Sequence, residues 1–252
     1  MWRATRDAVG VFAEVFRPEG PILEIGSYLH HGFDHFANVR PFFSGQEYVG
    51  LDIRDGPGVD VLGDAQRLTY GDGSFGTVLS LDLLEHVRDP WSAVAETHRV
   101  LRDDGLFVLS VPCVFRLHAF PTDYWRFTAS GVDSLLAGWG ARTVFALGPM
   151  VRPSFAFAVA SKDASPLFEE RSSLFRSEIT RTFSTPRSRL KGHFSVSKGL
   201  GRDVLGWMLG RARVGVAFFD ADEPGGYEAS ARDRALAESA ESSGAPPTVD
   251  TR

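Results

Sequence analysis

Residues 74–112 read SFGTVLSLDLLEHVRDPWSAVAETHRVLRDDGLFVLSVP and hold a complete strand–turn–helix–strand unit. TVLSLD (77–82) is strand-like, an apolar run that ends in an acid. In PWSAVAETHRVL (90–101), Trp91, Val94, Ala95, His98 and Leu101 fall at helical spacing. Asp89 and Pro90 stand where an N-cap and a first helical residue belong. GLFVLSVP (105–112) is nearly unbroken apolar sequence, as a strand covered on both faces requires.

The flanking sequence repeats the alternation. Before the unit, residues 3–16 predict a helix stopped by Pro18 and Gly20. ILEI (22–25) reads as a strand, 29–40 as helical, and EYVGLD (47–52) and VDVL (59–62) as further strands. After it, 128–138 begins with a Thr cap and reads as a helix. RTVFAL (142–147) and FAFAVAS (155–161) close the series as strands, with Gly148 and Pro149 between them. Strands alternating with helices imply an α/β, doubly wound sheet. Ligands in such sheets sit beyond the carboxyl ends of the strands, where strand order reverses. The residues to follow are therefore Glu24 to Ser27, Asp52, Asp64, Leu81 to His86, and Val111 to Arg126.

Composition bounds the function. The 252 residues are 43% hydrophobic and 23% charged, enough apolar material for a full core. No apolar run reaches membrane-span length, so no integral membrane association is expected. Arg3, Arg6, Asp7 and Glu14 interrupt the first segment, which argues for an amphipathic helix over a signal peptide. A lone cysteine, Cys113, excludes an internal disulfide framework and fits a reducing, cytoplasmic setting. Net charge is −5, with 14 basic and 19 acidic residues in 1–162, 10 and 5 in 163–219, and 3 and 8 in 220–252. No basic-aromatic pattern accompanies the central positive segment, so no nucleic-acid partner is expected. That segment could instead meet an acidic neighbour or, with Trp207, a membrane surface. The division expected is a domain at 1–162, an extension at 163–219 serving as lid or interface, and a disordered tail at 220–252. Residues 200–219 look partly amphipathic, although four glycines weaken a helix there.

Several side chains at the watched positions carry chemistry. Gly26 and Ser27 supply a sharp turn after the first strand, but Tyr28 and Leu29 break G-x-G-x-x-G. Such a turn serves a cofactor or only the chain. Asp52 ends the second strand, where an acid can accept from both ribose hydroxyls. Asp64 could accept from an adenine amino group, with Ala65 and Leu68 flanking the ring. Both aspartates also fit plain turn or capping roles.

ILEIGS, YVGLD, GDAQRL and the 74–112 unit together resemble a class I S-adenosylmethionine-dependent methyltransferase of the methyltransferase type 11 group. The similarity runs from Pro21 to Val111, and more loosely to Lys162. It implies a Rossmann-like, seven-stranded sheet with an antiparallel last strand, to which the C-terminal extension is added. It also implies S-adenosyl-L-methionine as cofactor. Glu24, Gly26 and Ser27 would shape the methionine loop, Asp52 would hold the ribose, and Asp64 with Ala65 would meet the adenine. Leu81 and Asp82 would lie along the methionine, partly through backbone groups. Here the family's usual E-x-G-x-G-x-G loop becomes E-I-G-S-Y-L-H-H-G.

HAFPTDYWRFT (118–128) resembles a stretch in a subgroup of these enzymes associated with glycan or secondary-metabolite pathways. Tyr124 and Trp125 could stack on a ring or sugar face, and Arg126 could hold an anion. Alternatively, an Asp123–Arg126 contact fixes a packed lid. Methyl transfer to a hydroxyl needs alignment and removal of a proton. His86 is the first candidate base, with His118 and Asp123 behind it, while Cys113 reads as a small buried thiol. His31, Asp34 and His35 give only H-x-x-x-H spacing, so no metal is expected. The function expected is O-methylation of a small polar or sugar-like acceptor, with N-methylation behind it. A nicotinamide-dependent oxidoreductase and a non-catalytic cofactor-binding protein are the rivals.

Overall fold

A computed structural model describes residues 3–30, 37–118, 122–148, 153–184 and 215–219. The expectations for His31, Asp34 and His35, for residues 31–36 of the 29–40 helix, for Trp207 and for the 220–252 tail lie outside these residues.

The strands are β1 (Ile22–Ile25), β2 (Tyr48–Asp52), β3 (Val61–Leu62), β4 (Phe75–Leu81), β5 (Leu101–Pro112), β6 (Ala141–Gly148), β7 (Phe155–Ser161) and β8 (Gly215–Phe219). The helices are α1 (Arg3–Phe16), α2 (Pro90–Val100), α3 (Ala129–Leu135) and α4 (Pro166–Ser184). The sheet order is β3-β2-β1-β4-β5-β7-β6-β8. β1 to β5 pair in parallel, while β7 runs antiparallel to both β5 and β6. The expected seven-stranded sheet with its reversed last strand is thus present, and β8 adds an antiparallel edge to β6.

Local sequence explains the elements. Asp89 caps α2 by accepting from the Ser92 amide at 3.1 Å, and Pro90 opens the helix. Thr128 caps α3 by accepting from the Gly131 amide at 3.0 Å. β4 is buried at every position, as its apolar run requires. Side chains alternate between the faces: Val78, Phe107 and Leu109 join α2 and α3 on one side. Ile22, Leu79 and Val108 join α1 and α4 on the other.

Two elements differ from expectation. Residues 166–184 form a 19-residue helix inside a stretch that composition left unassigned. Phe168, Phe175, Ile179 and Phe183 are buried at helical spacing, a narrow stripe among Ser, Arg and Glu. Residues 215–219, which lie in the partly amphipathic 200–219 stretch, are a strand that brings Phe218 onto Phe145 with ring centroids 5.5 Å apart. Phe175 is fully buried between Phe16, at 5.6 Å, and Phe145, at 5.9 Å. Arg171 ties α4 to the end of α1 by donating to the Phe16 carbonyl at 2.6 Å.

Removing the Phe175 ring should cost about 3–5 kcal/mol of unfolding free energy. Leu174→Ala, at an exposed position on the same helix, should change it by less than about 0.5 kcal/mol. Urea denaturation of both variants checks the pair.

Candidate functional site

Strand order reverses between β1 and β4, so the crevice of the sheet opens at their carboxyl ends. The two turns there touch. Gly26 holds φ +85°, and a Cβ on it would come within 3.0 Å of the Leu83 side chain. Its amide and that of Ser27 donate to the Leu51 carbonyl at 2.7 and 3.1 Å, so these two groups bind the β2 backbone. Ser27 Oγ is buried and has no hydrogen-bond partner among the described residues.

The acids behave differently from one another. Glu24 is buried and accepts from the Tyr48 hydroxyl at 2.7 Å. Burial pushes its carboxyl up to about 7, against the lowering effect of Tyr48 and Arg40. Asp52 is buried at the end of β2, where it accepts from the amides of Tyr28 at 3.3 Å and Arg54 at 2.9 Å. The Arg54 guanidinium lies over the Tyr28 ring, 4.4 Å from its centroid. Asp64 is exposed and accepts from the Gln66 amide at 2.8 Å. Ala65 and Leu68 are buried in the core, so neither side chain offers a face to a ring. Ile53 does, being 74% exposed directly after Asp52. Its signal in the sequence is an apolar residue immediately following a strand-terminal acid.

Leu81 packs its side chain into the α1 face, leaving its backbone to the crevice. Asp82 takes a left-handed conformation at φ +52°. Its amide donates to the Ser110 carbonyl at 2.8 Å, and Ser110 Oγ donates back to its carboxylate at 2.7 Å.

Beyond it, a 3-10 turn at Leu84–His86 brings β4 against the loop after β5. The amides of Tyr124 and Trp125 donate to the Glu85 carbonyl at 2.7 and 3.2 Å. His86 Nδ1 lies 2.7 Å from the Thr122 carbonyl, and burial lowers the ring's affinity for a proton. His118 meets His86 edge to face, with centroids 4.7 Å apart. Glu85, inside the 81–86 stretch marked by its place after β4 but given no role there, is 1% exposed beside them.

Three candidates turn out to be scaffolding. Arg126 directs all five of its N–H groups inward, to the carbonyls of Phe115, Arg116 and Trp125 and to both oxygens of Asp123. None is left for a substrate anion. Asp123 is correspondingly held well below the usual carboxylate range by Arg126, which makes it a poor proton acceptor. Trp125 donates its indole N–H to the Val87 carbonyl at 2.9 Å and packs against Trp91, so its ring is structural. Tyr124 remains 40% exposed, with the Arg88 guanidinium 5.9 Å above its ring. Cys113 is partly buried, and burial pushes its thiol up to about 12.

The raised Glu24 carboxyl makes stability depend on pH. Because its folded value of about 7 exceeds its ordinary 4.5, its contribution is complete below about 4.5 and is lost as pH rises through 7. Relative to Glu24→Gln, the wild-type protein should lose stability between about pH 4.5 and pH 8, by at most roughly 3 kcal/mol. Chemical denaturation across that range reads the difference.

Among known proteins, residues 44–109 match the methyltransferase domain family. An uncharacterized methyltransferase of Mycobacterium sp. (strain KMS) is 41% identical over 76 residues, covering 26% of this chain and 30% of that protein. A probable S-adenosylmethionine-dependent methyltransferase of Mycolicibacterium smegmatis is 31% identical over 101 residues, covering 36% of this chain and 37% of its own length. The match thus spans about a third of these relatives. In fold, the chain is similar to the 1,6-didemethyltoxoflavin-N1-methyltransferase of Burkholderia thailandensis, with a TM-score of 0.50 and 20% identity over 64% of this chain and 79% of that one. No helix of the described residues is long and apolar enough to cross a membrane. The strand order 3-2-1-4-5-7-6 and the methyltransferase-domain match at 44–109 make this chain similar to class I S-adenosylmethionine-dependent methyltransferases.

Proposed function

We propose that the protein transfers a methyl group from S-adenosyl-L-methionine to a hydroxyl oxygen of a small polar or sugar-like acceptor. The observation that carries this reading is the convergence of two chemically distinct halves at the β1/β4 reversal. One half suits a nucleoside. Asp52 keeps lone-pair capacity for ribose hydroxyls beyond its two amide contacts, and Ile53 beside it offers an apolar face to a flat base. The unpartnered Ser27 Oγ and the Gly26 turn lie where the amino-acid end of the cofactor would run. Glu24 acts behind that loop through Tyr48, while Asp64 and the Ala65 backbone would meet the adenine edge. Leu81 and Asp82 would line the methionine from β4 through their backbone. Bound there, the cofactor supplies a methyl group on a sulfonium, ready for in-line displacement.

The other half suits an acceptor that must lose a proton. Glu85, His86 and His118 form a compact polar cluster at the ends of β4 and β5. A hydroxyl must shed its proton as the new bond to carbon forms, a step that a cluster of two imidazoles and a carboxylate suits. Tyr124 supplies the open aromatic face at this edge. The nicotinamide alternative finds no support in the loop or among the relatives, and neither does a purely non-catalytic role.

Calorimetric titration with S-adenosylmethionine, S-adenosylhomocysteine and NADH tests the reading. The first two should bind, and Asp52→Ala should weaken both by roughly tenfold or more, the loss of a charge-assisted hydrogen-bond pair. Tight NADH binding without either would overturn it. Labelled methyl transfer into host extract should then mark a small polar product.

A further inference from the structure

Glu85 is a buried carboxylate that lacks a matched cation. It is 1% exposed, and its Oε2 has no hydrogen-bond partner among the described residues. Such a group is costly to keep unless something positive meets it. Two imidazoles are held beside it. The Thr122 carbonyl lies behind His86 Nδ1, which fixes a proton there and leaves Nε2 with its lone pair, 3.9 Å from Glu85 Oε1. Asp123 Oδ2 accepts from the His118 amide at 2.8 Å and lies 3.2 Å from its Nδ1, while Arg126 clamps that carboxylate from the far side. The carbonyl behind His86 is the outer support that metal-bound histidines use, while His118 Nδ1 stands beside Asp123 without a hydrogen bond among the described residues. One donor atom from each of Glu85, His86 and His118 lies within 4.8 Å of the others.

We propose that Glu85, His86 and His118 form a binding site for one divalent first-row transition cation, Zn²⁺ or Mn²⁺. Two imidazoles and one carboxylate are a donor set found in catalytic sites, which leaves positions open for oxygen ligands. Two nitrogen donors disfavour Mg²⁺. Donors around such a cation stand roughly 3–3.5 Å apart, so a small side-chain closure suffices. The expectation of no metal had rested on the spacing of His31 and His35, which are not part of this cluster. Only the chemical role rests on the proposed methyl transfer: a cation here would polarise an acceptor oxygen and ease loss of its proton to solvent. The site itself stands without that reading.

The full chain, purified without a histidine tag and stripped with chelator, is titrated with ZnCl₂, MnCl₂ and MgCl₂ by calorimetry, and bound metal is counted by elemental analysis. About one Zn²⁺ or Mn²⁺ per chain is expected, with Mg²⁺ weaker. Glu85→Gln and His118→Ala should each lose roughly tenfold or more in affinity. His118 is partly exposed, so its variant decides the matter if the buried Glu85→Gln fails to fold by circular dichroism. Absence of stoichiometric Zn²⁺ and Mn²⁺ binding, or undiminished binding in folded His118→Ala, overturns the proposal. S-adenosylhomocysteine titrated into the same samples separates the two readings. Metal without nucleoside binding keeps the cation site and removes the methyltransferase reading, and nucleoside without metal does the reverse.

Discussion

The parallel pairing of β4 with β5, in register from Thr77 opposite Leu106 to Leu81 opposite Ser110, is the constraint on which the rest depends. It ends both strands at one edge, so the turn at 82–86 and the loop after Pro112 must lie side by side. The chain then ties them together through Asp82 to Ser110 and through Tyr124 and Trp125 to the Glu85 carbonyl. β1, on the other side of β4, brings Gly26 against Leu83. Three segments distant in sequence thus meet within one crevice. A one-residue slip of β4 against β5 would turn Val78 and Leu79 to the wrong faces and dismantle both cores at once.

Within that crevice, the residues that look most reactive are mainly supports. Arg126 and Asp123 neutralise each other and tie residues 122–126 to the carbonyls of Phe115 and Arg116. Trp125 anchors the same loop under Trp91. The rigidity so produced holds His118 against His86 and leaves Tyr124 open. A binding site needs such a supporting layer to hold its reacting groups in place. The HAFPTDYWRFT stretch is therefore better understood as the frame of a polar cluster than as a row of substrate contacts.

The sheet was legible because its signals are local and redundant. Asp89–Pro90 marks the start of α2, and the unbroken run at 105–112 marks a strand covered on both sides. α4 was hidden because a stripe of three phenylalanines and one isoleucine serves 19 residues otherwise rich in Ser, Arg and Glu. β8 was hidden because a five-residue strand paired only at a sheet edge has little pattern of its own. For the site, position after each strand pointed to Asp52, Asp82 and His86, since topology alone decides which residues face the crevice. What residue type could not reveal was how each side chain is engaged. Arg126 reads as an anion binder until its five donors are traced to partners at the loop's own carbonyls and Asp123. Glu85 reads as filler until its burial beside two histidines is seen.

The proposed function makes the β1/β4 reversal a nucleoside site joined to an acceptor site. A crystal structure of the protein grown with S-adenosylhomocysteine should show the ribose hydroxyls on Asp52, the base against Ile53, and the sulfur facing the Glu85–His86–His118 cluster across the ends of β1 and β4. A ligand bound elsewhere on the molecule, with Asp52 still engaged only by Tyr28 and Arg54, would contradict it.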